Sequence, residues 1–359
     1  MSRLESGSPA VVSGPSRSTL AGLFREPQAT WWRQASPATT YWRCDVPARR
    51  LPGQVLSLRP TDIERLGKDF AYPRQKGPAV WQFPGNTTRA LMIAGMQQAG
   101  IPVFLEVDDN YLLDNPYGGK HWKARIDKGE IDATNREAHR KIVPWLNGVI
   151  CATDALAYHY ERLNPNTHVC RNAIEPLDWE EPDKPDDGVL RIGYAASDSH
   201  IADIRLIEQA FDWAARQPNV EIVLFGLRPE TGYWARIPVH HVGWTDDLAQ
   251  YRKSLEILDV GVCPLKSGQW ADCKSDIKAM EYAMAGAMAI VSATEPYRHW
   301  ADLPCLVASK PKDWLRAIKE VVANRDEVKR IAGEARAYVM AERTITDTVE
   351  EWHEAFASA

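Results

Sequence analysis

Two kinds of segment alternate along most of the chain. Short, almost purely apolar runs read as strands buried on both faces. They are "AVWQF" at 79–83, "IPVFLEVDDN" at 101–110, "NGVICAT" at 147–153 and "THVCRNAI" at 167–174. Between them, 86–100, 130–146 and 153–164 carry helical patterns. Asn86 or Thr87 can cap the first and Gly100 can end it, while Thr153 or Asp154 can cap the third. The alternation restarts after residue 188, with strands at 189–196, 220–226, 239–244, 257–265, 288–293 and 304–309. Its helices fall at 200–217, at 245–255 with Thr245 as cap, and at 275–286 with Ser275 as cap and Gly286 at the end. Residues 311–359 read as helices separated by two turns.

Strands alternating with helices imply an α/β protein with two Rossmann-like domains, each built on a mostly parallel sheet, facing a central cleft. The boundary falls in "EPLDWEEPDKPDDG", which is acidic, Pro-rich and without apolar periodicity. The expected division is a flexible basic arm at 1–38, a first domain at 39–175 and a linker at 176–188. A second domain at 189–340 and a terminal helix at 341–359 that crosses back to the first domain complete it. Pro47 is expected to limit helix in "TYWRCDVPARRL".

Composition narrows the class. Hydrophobic residues make up 45% and charged residues 25% of 359, an ordinary globular balance that excludes collagen-like, coiled-coil or mostly disordered chains. No apolar run reaches the roughly 18 residues a membrane span needs. The net charge of −5 is uneven: residues 1–60 hold eight Arg, no Lys and three acids. A basic arm on an acidic body fits this, and a contact with a polyanion or a membrane surface is the second reading. Six scattered cysteines with no CxxC pair argue against a zinc site or a disulfide framework and fit a reducing cytoplasm. There is no GxSxG, HExxH or P-loop, so serine hydrolases, zinc proteases and P-loop NTPases lose ground.

In open parallel sheets ligands bind at the carboxyl ends of the strands, so polar residues just after strands are the candidates. The strongest set lies in "DCKSDIKAMEYAMAG" at 272–286. Lys274 and Ser275 stand at a helix start whose free N–H groups favour phosphate, and Lys278 adds a cation. Glu281, three residues on, shares a face with Lys278; an ordinary surface ion pair is the competing reading. Gly193 would let backbone approach a ligand. Ser197 and His200 follow the same strand, with helix capping as the alternative for Ser197. Gly226 and Arg228 follow the next strand, where Arg228 would clamp a diphosphate or face solvent. Asp108 and Asp109 end a first-domain strand beside Asn110; adjacent carboxylates there orient a hydroxyl more readily than they share a metal ion. Asn172 faces the cleft from the end of the first domain.

The 272–292 segment resembles the donor-site helix of GT-B glycosyltransferases, specifically retaining family 4, in a branch with "KSxxKxxEYxAxG". Glu281 matches the second of that family's paired acids, and Cys273 occupies the position of the first. "CRNAIEP", "RIGYAASDSHIAD" and "YRKSLEILDVGVCPL" resemble other stretches of the family, over about residues 75–340. The resemblance implies transfer of a sugar from a nucleotide-diphosphate sugar (UDP- or GDP-linked) to a glycan, lipid, protein or modified DNA acceptor. It implies retention, no prosthetic group, no required metal and a cytoplasmic enzyme, peripheral to a membrane if the acceptor is there. It assigns Glu281 to the ribose, Lys274 and Ser275 to phosphate, Gly193 to donor approach, and Asp108 or Asp109 to the acceptor or the transferred sugar. A non-catalytic binding protein of the same fold and a nucleotide-sugar epimerase are the alternatives.

Overall fold

The computed structural model describes residues 29–32, 37–51, 77–82, 87–113, 134–185, 187–196, 200, 202–226, 233–303 and 305–359. The first sheet contains β1 (Thr30–Trp32), β2 (Ala79–Gln82), β3 (Val103–Val107), β4 (Gly148–Cys151) and β5 (Thr167–Val169), in that order and all parallel. Strands β2, β3 and β4 are buried along their whole length, which is why they read as unbroken apolar runs. Helices α1 (Thr87–Gln98), α2 (Thr134–Ile142) and α3 (Asp154–Tyr160) belong to this half. In α1, Met92, Ile93 and Met96 are buried at helical spacing. Thr153 caps α3 by accepting the Leu156 N–H at 3.2 Å.

The second sheet contains β6 (Leu190–Ala195), β7 (Val220–Phe225), β8 (His240–Val242), β9 (Val260–Cys263), β10 (Met288–Ser292) and β11 (Leu306–Ala308). Its spatial order is β11-β10-β9-β6-β7-β8, all parallel. This is the doubly wound Rossmann order, and it places the topological switch point between β6 and β9. Helices α4 (Ile204–Ala214), α5 (Leu248–Leu255), α6 (Ile277–Met284), α7 (Pro311–Ala323) and α8 (Arg325–Glu342) accompany it.

The last helix, α9 (Ile345–Ala357), belongs to the first half in space. Ile345, Thr348, Trp352 and Ala355 form its buried stripe. Trp352 and Ala355 pack with Trp31, Cys44, Phe104 and Ile150 of the first sheet and its covering segment. The chain passes between the halves twice, at Ile174 and at Thr344, where the two segments form a short parallel bridge.

Three expectations need correction. The stretch read as a flexible arm contributes β1, whose Trp31 and Trp32 are buried; Trp32 stacks on Trp81 with centroids 4.8 Å apart. Pro47 does not delay helix: 37–48 is helical in three pieces with a π turn at Tyr41–Asp45, and Pro47 sits at the start of the last piece, where a missing N–H costs nothing. The caps of α5 and α6 shift by one or two residues. Asp247 rather than Thr245 caps α5, accepting from the Ala249 and Gln250 N–H groups. Helix α6 begins after Asp276 with no side-chain cap, because Ser275 is engaged elsewhere.

Candidate active site

The carboxyl ends of β6, β7 and β8 open on a cavity of about 220 Å³. Ala195, Gly226 and Trp244 line one part of it, and Tyr251, Lys278 and Glu281 another. Gly226 has φ +77°, and a Cβ there would meet the Ala196 carbonyl at 3.0 Å and the Trp244 ring at 3.1 Å. Trp244 is 64% exposed, unusual for so large an apolar ring, and its Nε1 donates to Asp246 at 3.0 Å. Glu281 is nearly buried on the opposite wall. Its Oε2 accepts from Lys278 Nζ at 2.7 Å and from the Tyr251 hydroxyl at 3.1 Å. Lys278 also donates to that hydroxyl at 2.9 Å, closing a three-membered ring of polar groups.

A second cavity of about 360 Å³ continues into the gap between the halves. Here the first half supplies Asp108, Asp109 and Asn172, and the second supplies His200, Lys274 and Ser275. Lys274 Nζ lies 2.5 Å from Asp109 Oδ1, with both side chains about a quarter exposed (24% and 28%). Burial would lower the Lys274 pKa, but the Asp109 carboxylate, together with Asp108 and Asp203, makes the net shift upward. Burial and the neighbouring Asp109 raise the Asp108 carboxyl, whose Oδ1 accepts from the Tyr111 hydroxyl at 3.0 Å.

Residues 273–276 make four successive contacts outside their own helix. Cys273 is 1% exposed and sits in the apolar cluster of the first half, with Asn110 Nδ2 donating to its Sγ at 3.3 Å. Lys274 meets Asp109. Ser275 Oγ accepts from Asn172 Nδ2 at 2.8 Å. The orientation of the Asn172 amide is set by Arg43, which donates to its Oδ1 at 3.1 Å. Arg43 is itself buried, with Nε donating to Glu106 at 2.6 Å, and burial pushes the Glu106 carboxyl up to about 7 against the pull of Arg43. Asp276 turns to the crossover, accepting from Arg343 at 2.7 and 2.9 Å and from Trp300 Nε1 at 2.9 Å. Burial alone would raise its pKa; His299 and Arg343 together hold it below the usual carboxylate range.

The structure thus brings Asp108, Asp109, Asn172, His200, Lys274, Ser275, Lys278 and Glu281 around one connected space, with Gly226 at its edge. Asn110 lies beneath it, buried against Cys273. Gly193 does not belong there. It lies inside β6 opposite Gly261, and a Cβ would strike Leu258 Cδ2 at 2.4 Å, so packing on the sheet explains it. Ala195 and Ala196 take the strand-end position assigned to it. Ser197 and Arg228 lie outside the described residues. Sequence reasoning missed Trp244, Tyr251, Asp203 and Arg343. A Trp directly after "HHVG" at a strand end was the one legible signal among them.

Comparison with known proteins bears on the fold. Residues 205–354 match the family described as "Glycosyl transferase-like". The chain has the two-domain GT-B fold. No curated protein matches it. Among solved structures, Anabaena HepE in complex with UDP and glucose aligns with a TM-score of 0.62 at 10% identity, over 93% of this chain and all of that one. A point mutant of Staphylococcus aureus TarM, in complex with fondaparinux, α-GlcNAc-glycerol and UDP, aligns at 0.58 and 13% identity. That match covers 77% of this chain but 55% of TarM, so the chain spans about half of TarM's length. Sucrose-phosphate synthase from Thermosynechococcus elongatus aligns at 0.54 and 13% identity, over 82% of this chain and 75% of that one. At these identities the likeness is one of fold. Among the described residues no helix is long and apolar enough to cross a membrane.

Proposed function

We propose that the protein transfers a sugar from a UDP-sugar to a hydroxyl-bearing acceptor, with retention and without a metal ion. The observation that carries this is the opening of Lys274, Ser275, Lys278 and Glu281 onto the switch-point crevice of a Rossmann-ordered sheet. The UDP bound by HepE and TarM supports the choice of nucleotide. In this reading Trp244 offers a stacking face to the base, and Glu281 holds the ribose hydroxyls with the oxygen it does not share with Lys278. The α6 N-terminus, Ser275 and Lys274 receive the diphosphate as negative charge builds on it. The first domain presents the acceptor, and Asp109 releases Lys274 to the phosphate while Asp108 or Asp109 orients the acceptor hydroxyl. Two lysines and a helix end supply the charge that a metal would otherwise bring.

A thermal-shift panel of UDP-, GDP-, ADP- and dTDP-sugars, with and without EDTA, tests the donor. UDP-sugars are expected to stabilise the protein, EDTA to change nothing, and Glu281→Gln to remove most of the shift. A donor that binds without any transfer or release of sugar would favour a non-catalytic binding protein. A donor converted to its epimer with no acceptor present would favour an epimerase.

A further inference from the structure

Ser275 is half-buried and lines two cavities at once, the interdomain one of about 360 Å³ and a further one of about 570 Å³. A hydroxyl can give one proton and can also accept, so its role toward a ligand depends on its other partner. Here a buried row of first-half side chains fixes that role. Arg43 is 1% exposed and held at three points. Its Nε donates to Glu106 at 2.6 Å, and its Nη1 donates to the Cys170 carbonyl at 2.5 Å and to Asn172 Oδ1 at 3.1 Å. A guanidinium only donates, so the atom that Asn172 turns toward it is the amide oxygen. Nδ2 of Asn172 is thereby aimed at Ser275 Oγ, 2.8 Å away. An amide nitrogen also only donates, so Ser275 Oγ accepts and its own proton points elsewhere. Among the described residues none accepts that proton.

We propose that Asn172 is a positioning residue: held by Arg43, it turns the Ser275 O–H toward the diphosphate of a nucleotide in the cleft. This rests on the reading of the cleft as a nucleotide-sugar site. Ser275 keeps its proton throughout, and no bond to it forms or breaks. It contributes a hydrogen bond to an ion, which is stronger than one between neutral groups and gains as the leaving phosphate gathers charge. Asn172 ends the first half and Ser275 opens α6 in the second, so affinity for the diphosphate depends on contact between the halves.

The next residue is arranged to the same end. Asp276 stands in the cap position of α6, but its carboxylate goes to Arg343 at 2.7 and 2.9 Å. The helix therefore starts without a side-chain cap, and its first N–H groups stay available beside the Ser275 hydroxyl.

The test is a double-mutant cycle on UDP affinity by calorimetry, with uridine as the ligand that lacks the diphosphate. Ser275→Ala is expected to weaken UDP roughly 30-fold. Asn172→Asp keeps an oxygen for Arg43, while its other oxygen takes the Ser275 proton instead of giving one. UDP should bind that variant at least about 30-fold more weakly, and adding Ser275→Ala should cost less than about threefold more. Uridine should bind all three variants within about twofold of wild type. Should Asn172→Asp fail to fold, Asn172→Ala takes its place in the cycle, with the same sub-additive result expected. A Ser275→Ala loss of equal size with and without the Asn172 substitution overturns the proposal, as does a Ser275→Ala protein that binds UDP like wild type. Equal losses for uridine and UDP also overturn it, since the pair would then only hold the halves together. If wild type does not bind UDP at all, the reading of the cleft fails and the proposal falls with it.

Discussion

Cys273 lies in the core of a domain other than the one its sequence neighbours build. At the position where the sequence resemblance implies an acid, the thiol is surrounded by first-domain residues, with Ala155 O at 3.8 Å and Asn110 at 3.3 Å. A carboxylate there would be buried without a cation, which costs several kcal/mol. Cys273→Glu is therefore expected to lower unfolding free energy by about 3–5 kcal/mol in a urea titration, and Cys273→Ser by about 1 kcal/mol. Equal stability of Cys273→Glu and wild type would mean that the interdomain contact is not what excludes the acid. At this scale the sequence was readable where a residue's position in a motif set its neighbours, as for Lys274, Ser275 and Glu281. It misled at Gly193, because a glycine that admits Leu258 and one that admits a ligand look alike in one dimension. Arg43 was invisible for another reason: its partners Glu106, Cys170 and Asn172 lie at least 63 positions away in the chain.

Strands and helices were legible because buried parallel strands and amphipathic helices have distinct periods. The three-residue β1 was not, since Thr30–Trp32 is too short to show one and is fixed only by pairing with β2. Cap positions slipped for a similar reason: Ser, Thr and Asp are equally good caps locally, and tertiary partners decide among them. Asp276 shows the effect. It occupies the cap position of α6, yet its carboxylate is spent on Arg343 at the chain crossover, tying the start of α6 to that crossover. Asp276→Asn would leave the Arg343 guanidinium, 12% exposed, without a counter-charge. The expected loss is about 3–5 kcal/mol by chemical denaturation. A loss under about 1 kcal/mol would show that this pair does not hold the crossover.

At the scale of the whole molecule, His139 and Asp276 add acid sensitivity in two windows, while the Glu106 carboxyl, pushed up to about 7 by burial, works in the opposite direction. Burial lowers the His139 pKa from 6.5 to about 3, with Nε2 2.7 Å from the Tyr160 hydroxyl. Unfolded His139 binds a proton that the folded form refuses, so stability falls as pH drops below 6.5, by up to about 1.4 kcal/mol per unit. Asp276 has the opposite chemistry and the same direction: its contribution is complete above the ordinary carboxylate pKa and is lost only below about pH 4. His139→Gln should remove up to about 1.4 kcal/mol per pH unit of that loss between pH 6.5 and 4, relative to wild type, and leave the fall below pH 4 intact. The same slope between pH 6.5 and 4 in His139→Gln and in wild type would contradict this assignment. The order of the two sheets could not be read from the chain, because it is set by crossovers. Its consequence is large, since it puts His200, Lys274 and Glu281 at one crevice.

The most direct test is a crystal structure of the protein with UDP. The account predicts diphosphate oxygens within hydrogen-bonding distance of Lys274 and Ser275, the ribose on Glu281 and the uracil against Trp244. The contradicting result is UDP in the 570 Å³ cavity on the Arg171, Arg298 and Arg343 side of Lys274 and Ser275, with no contact to Glu281 or Trp244.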